Sequence, residues 1–228
     1  MDRTRPAKGM KSRASYRLPY RHNPVFVIEL LEEYPSRWLL EELRESYEFA
    51  DSHGYRLIVS GVTNSVIASS LNRAGIPFTW GEGFQYNRYL CILLDLNAKK
   101  PLEPWEAAVS NYIIIGGIMG DHPPRGRTVL LSMGVFTNCS KRNLGKEQLS
   151  IDGALKTAVL IAEGLKLGDI DFVRNIRLTL DLGLGVSEHE VLLPYVYPSI
   201  EGEPLISKRL QQLLARGVLY DEEYLLTP

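Results

Sequence analysis

Several absences narrow this 228-residue chain before any motif is read. Cysteine occurs only twice. That is too few for a disulfide scaffold, and Cys91 lies in an apolar run, so a reducing, intracellular setting, cytoplasmic by preference, is the simpler reading. Long apolar stretches are missing: a run such as YIIIGGIMG at 112–120 falls far short of the roughly 20 residues that span a bilayer. His22, His53, His122 and His189 stand apart, without the spacing of a ligand set, so no metal is expected. Internal repeats and low-complexity tracts are absent too. No Gly/Ser/Pro linker divides the chain after residue 24, which predicts a tail over 1–22 and one domain over 23–228. The balance of 45% apolar and 23% charged residues is that of a soluble globular protein, not of a disordered, collagen-like or coiled-coil chain.

Charge is unevenly spread. Residues 1–22 hold seven basic side chains against one acidic, whereas the remaining 206 hold 19 basic against 26 acidic. The basic arm has two readings, a solvated extension or an electrostatic contact to RNA or a ribosome. A transit peptide fits less well, because Pro6 and Pro19 interrupt the segment and no apolar helical face is present. The acidic body argues against broad nucleic-acid binding by the globular part.

Apolar, β-branched runs at 24–30, 55–59, 88–95, 111–117 and 189–197 predict strands. Helical spacing predicts helices after Ser36, over 63–74, at 101–110 opened by Pro104, over 148–165 and over 206–217. Strands alternate with helices, and several are apolar without alternation. Those are the marks of an α/β fold with a mostly parallel sheet covered by helices on both faces. In such sheets ligands lie beyond the carboxyl ends of the strands.

The densest chemical signal follows the strand at 111–117. Gly116, Gly117 and Gly120 lead into Asp121, His122, Pro123, Pro124 and Arg125. Glycines there let the backbone turn and approach a ligand; the plainer alternative is a tight connection. A P-loop is excluded because no Gly-Lys-Ser/Thr opens a helix, and the run is not a dinucleotide fingerprint. Asp121 repels phosphate, and the two prolines bar a helix from starting beside it. A neutral or cationic ligand held by backbone contacts fits better, and S-adenosylmethionine, without phosphate and with a sulfonium, is of that kind. Asp121 beside His122 reads as a loop hydrogen-bonding pair, and no G-x-S-x-G or Cys-His pairing suggests a nucleophile. In a second segment, 144–154, Ser150 is placed to cap the strong helix and Asp152 to charge its first turn. Gly153 inside that helix costs about 1 kcal/mol against alanine, which predicts a close approach to the helix.

GGIMGDHPPRGRT at 116–128 with LGKEQLSIDGA at 144–154 resembles a small family of SPOUT-class methyltransferases, that of a yeast enzyme methylating an arginine of a small-subunit ribosomal protein, and its archaeal relatives. FVIELLEEYPSRWLLEEL at 26–43, CILLD with LEPWEA, and LLPYVYP at 192–198 extend the resemblance over about 24–205. It implies a SPOUT-like α/β domain with a C-terminal trefoil knot, a monomer rather than a dimer, and an S-adenosylmethionine pocket made by three loops. These are 94–96, with Leu94 and Asp95; 116–121, with Gly116, Gly117, Ile118 and Gly120; and 144–150, with Leu144, Gly145, Gln148 and Ser150. The basic tail has no counterpart in the family pattern. Pro194-Tyr195-Val196-Tyr197 stands where relatives tend to carry an Arg-Tyr pair.

An arginine substrate meets the sulfonium as a second cation, so carboxylates are expected to line the site. Asp121 is the first candidate, Glu29 the second and Asp152 the third. Glu29 could instead pair with Arg125 or Arg127. Glu32, Glu33, Glu41 and Glu42 read as a solvated helix face and its approach. The substrate expected is a ribosomal or ribosome-associated protein. The alternatives are an rRNA or tRNA methyltransferase, which Arg125, Arg127, Lys141, Arg142 and Lys146 could serve, and a ribosome-binding module without catalysis.

Overall fold

A computed structural model of the chain describes residues 23–32, 34, 36–83, 85–86, 89–118, 130–181, 188–193 and 195–215, and every structural statement below concerns these. The chain order is β1 (Val25–Leu30), α1 (Arg37–Ser52), β2 (Leu57–Val62), α2 (Ser65–Ala74), β3 (Phe78–Trp80), β4 (Cys91–Leu94), α3 (Pro104–Val109), β5 (Tyr112–Gly117), β6 (Ser140–Arg142) and α4 (Ile151–Ala162). The six strands form one sheet in the order β3-β2-β1-β5-β4-β6, and every neighbouring pair is parallel. The three-residue strands β3 and β6 at its edges were not expected from the sequence.

The helices start where their capping residues stand. The Ser36 hydroxyl accepts the Leu39 N–H at 2.9 Å, and the Asn64 side chain accepts those of Val66 and Ile67. Gly75 ends α2 with φ at +69°, in the left-handed region open to glycine. At the strand ends a side chain has no room at Gly61: a Cβ there would lie 2.4 Å from the Leu30 carbonyl oxygen.

Alternate residues of each strand face opposite layers. Phe26, Ile28, Leu30, Ile92, Leu94, Ile113 and Ile115 pack into one core with Leu39 and Leu43 of α1, Ile67 and Leu71 of α2, Ala107 of α3, and Leu155 and Val159 of α4. On the opposite face Val27, Leu93 and Ile114 meet Tyr86, Leu131, Val135 and Phe136. Its helical covering among the described residues is one wide turn over Leu131–Val135, closed by the Phe136 N–H on the Leu131 carbonyl at 2.7 Å. Cys91 and Cys139 form a disulfide on this face, with their Cα atoms 4.9 Å apart. This bond departs from the reducing setting expected from the sequence, where nothing linear signals a pairing across 48 residues.

The later chain forms a small antiparallel sheet from β7 (Asp171–Val173), β10 (Tyr197–Ile200) and β11 (Glu203–Pro204), and a hairpin of β8 (Arg177–Asp181) with β9 (Glu188–Leu192). The run read as one strand over 189–197 is thus divided between β9 and β10. With α5 (Lys208–Ala215) these elements enclose a third core, where Leu193, Tyr195, Tyr197, Leu210 and Leu214 surround Trp38 of α1. The knot implied by the resemblance includes the loop at 116–121, part of which lies outside the described residues. No helix among the described residues is long and apolar enough to cross a membrane.

Candidate functional site

Because β1, β5, β4 and β6 are parallel neighbours, the segments that leave them emerge along one edge of the sheet. This brings together Leu94 and Asp95 after β4, Gly116, Gly117 and Ile118 at the end of β5, and Leu144, Gly145, Gln148 and Ser150 after β6. Gly120 and Asp121, with His122, Arg125 and Arg127, lie outside the described residues.

The loops after β4 and β6 are locked together by backbone hydrogen bonds. The Asp95 N–H donates to the Arg142 carbonyl at 2.8 Å, the Asn143 N–H to that of Lys100 at 2.9 Å, and the Leu102 N–H to that of Asn143 at 2.9 Å. Asn143, which sequence reasoning missed, also donates from Nδ2 to the Ala98 carbonyl at 2.7 Å and accepts the Gly145 N–H on Oδ1 at 3.0 Å. Gly145 itself has φ at +111°. The buried Asp95 carboxylate accepts the Asn97 N–H at 2.9 Å and so shapes its own turn. Further along, the Val196 N–H donates to the Gln148 carbonyl at 3.1 Å, and Leu149 pairs with Val196 as a parallel bridge. The 195–197 segment thereby runs beside the end of the 144–150 loop.

Gly117 has a packing reason to be glycine: a Cβ there would meet Leu30 Cδ2 at 2.7 Å and the Glu29 carbonyl oxygen at 2.9 Å. Glu29, opposite Gly116 in register, is fully buried. The Ser60 hydroxyl and the Gly83 N–H both donate to its carboxylate. The arginines considered as partners from the sequence, Arg125 and Arg127, lie outside the described residues. Burial raises its pKa, against the lowering effect of these donors.

Asp152 lies one residue into α4, 1% exposed. The Ser150 hydroxyl donates to Oδ1 at 2.6 Å and Lys156 Nζ to Oδ2 at 3.0 Å. Ser150 also accepts the Gly153 N–H at 3.1 Å, the expected N-cap. The close approach foreseen at Gly153 is made by Ser150 Oγ, 2.9 Å from a virtual Cβ, with Pro198 and the Val196 carbonyl at 3.7 Å.

Glu42 corrects the sequence reading. It is 3% exposed, not solvated. Trp38 Nε1 donates to its Oε1 at 2.6 Å and the Ile151 N–H to its Oε2 at 3.0 Å. Trp38 four residues earlier was the available signal, since i and i+4 share a helix face. Arg142, named among the bases that could serve an RNA substrate, is committed to Glu106 of α3. Its Nε donates to both carboxylate oxygens at 2.8 Å and its Nη2 to Oε1. The hydrogen bonds from Arg142 hold the Glu106 carboxyl below its usual range.

The donor set suits a ligand gripped by backbone and small polar groups. Helix α4 starts at a buried serine cap followed by an aspartate, which does not favour phosphate, and Leu96, Leu144 and Ile118 offer apolar surface along the edge. The architecture is that of the SPOUT class. Residues 25–220 match the family profile described as "Protein arginine N-methyltransferase SFM1-like". Protein arginine N-methyltransferase SFM1 of Saccharomyces cerevisiae is 31% identical over 206 residues, covering 84% of this chain and 94% of the yeast protein. The chain therefore belongs to the SFM1-like protein arginine N-methyltransferase family. The crystal structure of the yeast enzyme complexed with SAM superposes with a TM-score of 0.73 at 26% identity, covering 90% of this chain and 95% of that one. The complex with SAH gives 0.69 at 26% identity, over 83% and 93%. Dual specific Trm10 from Thermococcus kodakaraensis, at 18% identity and a TM-score of 0.53 over 64% and 96%, shares the fold.

Proposed function

We propose that this chain methylates an arginine side chain of a ribosomal or ribosome-associated protein, with S-adenosylmethionine as donor. The observation that carries the reading is the convergence of the loops after β4, β5 and β6 on one sheet edge, those after β4 and β6 interlocked through Asn143, in a member of this family. Leu94, Asp95, Gly116, Gly117, Ile118, Gly120, Leu144, Gly145, Gln148 and Ser150 would hold the donor. When bound, it supplies an electrophilic methyl group on a sulfonium. The chain's own task is positioning: a guanidinium is always cationic and its lone pairs are delocalised, so it must be held in line and relieved of a proton. Asp121 is the group to accept that proton on a carboxylate oxygen. Glu29, at the end of β1, adds negative potential at the same sheet edge. Asp152, engaged by Ser150 and Lys156, supports the start of α4 from behind.

The engagement of Arg142 by Glu106 removes one cation from the surface an RNA substrate would need, which favours the protein substrate. We take residues 23–228 as one catalytic unit that acts as a monomer in the cytoplasm, with the basic 1–22 arm as a separable contact to the ribosome or its RNA. The test is incubation of the purified chain with labelled S-adenosylmethionine and dissociated ribosomes. Label should enter protein and be recovered as methylarginine after hydrolysis. Asp121→Asn should reduce turnover at least a hundredfold, the lower end of what a positioned acid–base group contributes, and leave S-adenosylhomocysteine affinity within about threefold. Label confined to RNA, or a fully active Asp121→Asn, would overturn the reading.

A further inference from the structure

We propose that Glu42 is a positioning residue for the 144–150 loop, fixing from α1 the point at which that loop must end, and that only its neutral form does so fully. The proposal rests on the reading of 144–150 as part of the cofactor site.

Ile151, whose N–H Glu42 accepts, is the first residue after the loop and the first of α4. The first N–H groups of a helix have no partner within it, so a buried helix start needs acceptors from elsewhere. Ser150 serves the Gly153 N–H. Glu42 serves that of Ile151 and is itself oriented by Trp38 Nε1, which is buried in the third core. Through one side chain the loop's end is therefore tied to a rigid helix and to the core beneath 195–197.

The surrounding charges decide the protonation state. Asp152 and Lys156 of α4 are each 1% exposed. Lys156 Nζ spends its three donors on Asp152 at 3.0 Å, Glu45 of α1 at 3.0 Å and the Leu205 carbonyl at 2.8 Å. No donor of that ammonium remains for Glu42, which feels it only as a positive charge that weakly lowers its pKa. Arg209 of α5 pairs with Glu48 and Glu41 on another side of α1. From β10, Tyr197 buries its hydroxyl near Glu42, Asp152 and Ser150. Glu42 thus faces a second carboxylate and a neutral phenol with no cation of its own. Burial, then repulsion by Asp152, push its pKa up to about 8. Ionisation above that pH sets a second carboxylate, without an ammonium partner of its own, beside the Lys156-paired Asp152 at the start of α4, and the loop end loosens.

The test uses the full chain, with S-adenosylhomocysteine as probe and amide hydrogen exchange as an independent readout. Wild-type affinity should fall about tenfold between pH 7 and pH 9, with a bend near 8. Glu42→Gln keeps the shape and one of the two acceptor oxygens and cannot ionise, so it should bind more weakly than wild type at pH 7 but with a flat profile. Glu42→Ala leaves the Trp38 and Ile151 donors unpaired and should weaken binding about tenfold at pH 7. In the free protein, protection of amides 145–151, corrected for intrinsic rates, should drop from pH 7 to pH 9 in wild type and not in Glu42→Gln. Coincident wild-type and Gln profiles in binding and exchange would overturn the proposal, as would native affinity in a folded Ala variant. If no form binds S-adenosylhomocysteine, the cofactor reading fails, and the exchange profiles alone decide whether Glu42 holds the loop.

Discussion

The two faces of the central sheet are built on different principles. One is covered by four helices whose apolar side chains share a core with every strand from β1 to β5, Phe78 of the edge strand β3 included. The other, among the described residues, relies on one wide helical turn, the Tyr86 ring and the Cys91–Cys139 bond. Strands β4 and β6, which deliver two of the three loops, sit between these layers. On the helical side they are tied by the Glu106–Arg142 pair and by Ile92 and Leu94. On the thin side they are tied by a single covalent link. Redundant packing spreads stability over many groups; a thin layer concentrates it in a few.

That contrast is open to direct tests. In the oxidised protein the Cys91–Cys139 bond closes a loop of 48 residues' separation. The chain-entropy account gives such a closure about 4 kcal/mol, so Cys91→Ser with Cys139→Ser should lower stability by that order in denaturant titration. An effect under about 1 kcal/mol would mean that the thin face holds β6 without the bond. Next come matched truncations. Leu155 and Leu131 are both fully buried, one on each face. Leu155→Ala, hemmed in by α1 and the sheet, should leave a cavity and cost about 4 kcal/mol, while Leu131→Ala lets a lone turn settle inward and should cost about 2 kcal/mol. Equal losses would erase the distinction between the faces.

The pH dependence of stability separates the regions without a core truncation. Glu42 has its folded pKa raised above the ordinary glutamate value, to about 8. Its contribution is therefore complete below pH ~4.5 and lost as pH rises through about 8. Glu106 has its folded pKa lowered by Arg142, so its contribution is present above the ordinary value and lost as pH falls through the lowered one. Urea midpoints across pH 3–9 should show both flanks. Glu42→Gln should remove the alkaline decline alone and Glu106→Gln the acid decline alone. A shared loss of both flanks in either variant would show that the two pairs titrate as one unit.

Much of the helical face was legible in the sequence, because its signals are local. Ser36, Gly75, Pro104 and Ser150 mark helix ends by chemistry each carries alone, and the unbroken apolar runs of β1, β4 and β5 announce strands buried on both sides. The thin face and the sheet edges were not legible. The residues of β6 are Ser140, Lys141 and Arg142, which carry no strand signal and are ordered by pairing with β4. The run at 189–197 looked continuous although Pro194, lacking an N–H, stands within it. The loops of the candidate site could be named from their glycines and their resemblance, but Asn143, which interlocks two of them, has no pattern to betray it. Glu42 was misread because a glutamate in an acidic helix is usually solvated, and only Trp38, one turn back, argued otherwise.

The smallest effect is expected where two comparable terms oppose each other, at the start of α4. Gly153→Ala should gain about 1 kcal/mol of helix propensity. The new methyl group would lie 2.9 Å from Ser150 Oγ, with Pro198 and the Val196 carbonyl at ordinary contact distance. The serine hydroxyl is the atom that must give way, and it is held on both sides, accepting from Gly153 and donating to Asp152. Loss of an N-cap of this kind costs about 1 kcal/mol. The two terms cancel, so the melting temperature should move by no more than about 2 °C. Ser150→Ala, without the cap, should cost its full value, and adding Gly153→Ala to it should recover most of that loss, because the clash is gone and only the propensity term remains. If Gly153→Ala alone stabilises the protein by the full helix-propensity increment, Ser150 is free to move and the end of the 144–150 loop is softer than its hydrogen bonds imply.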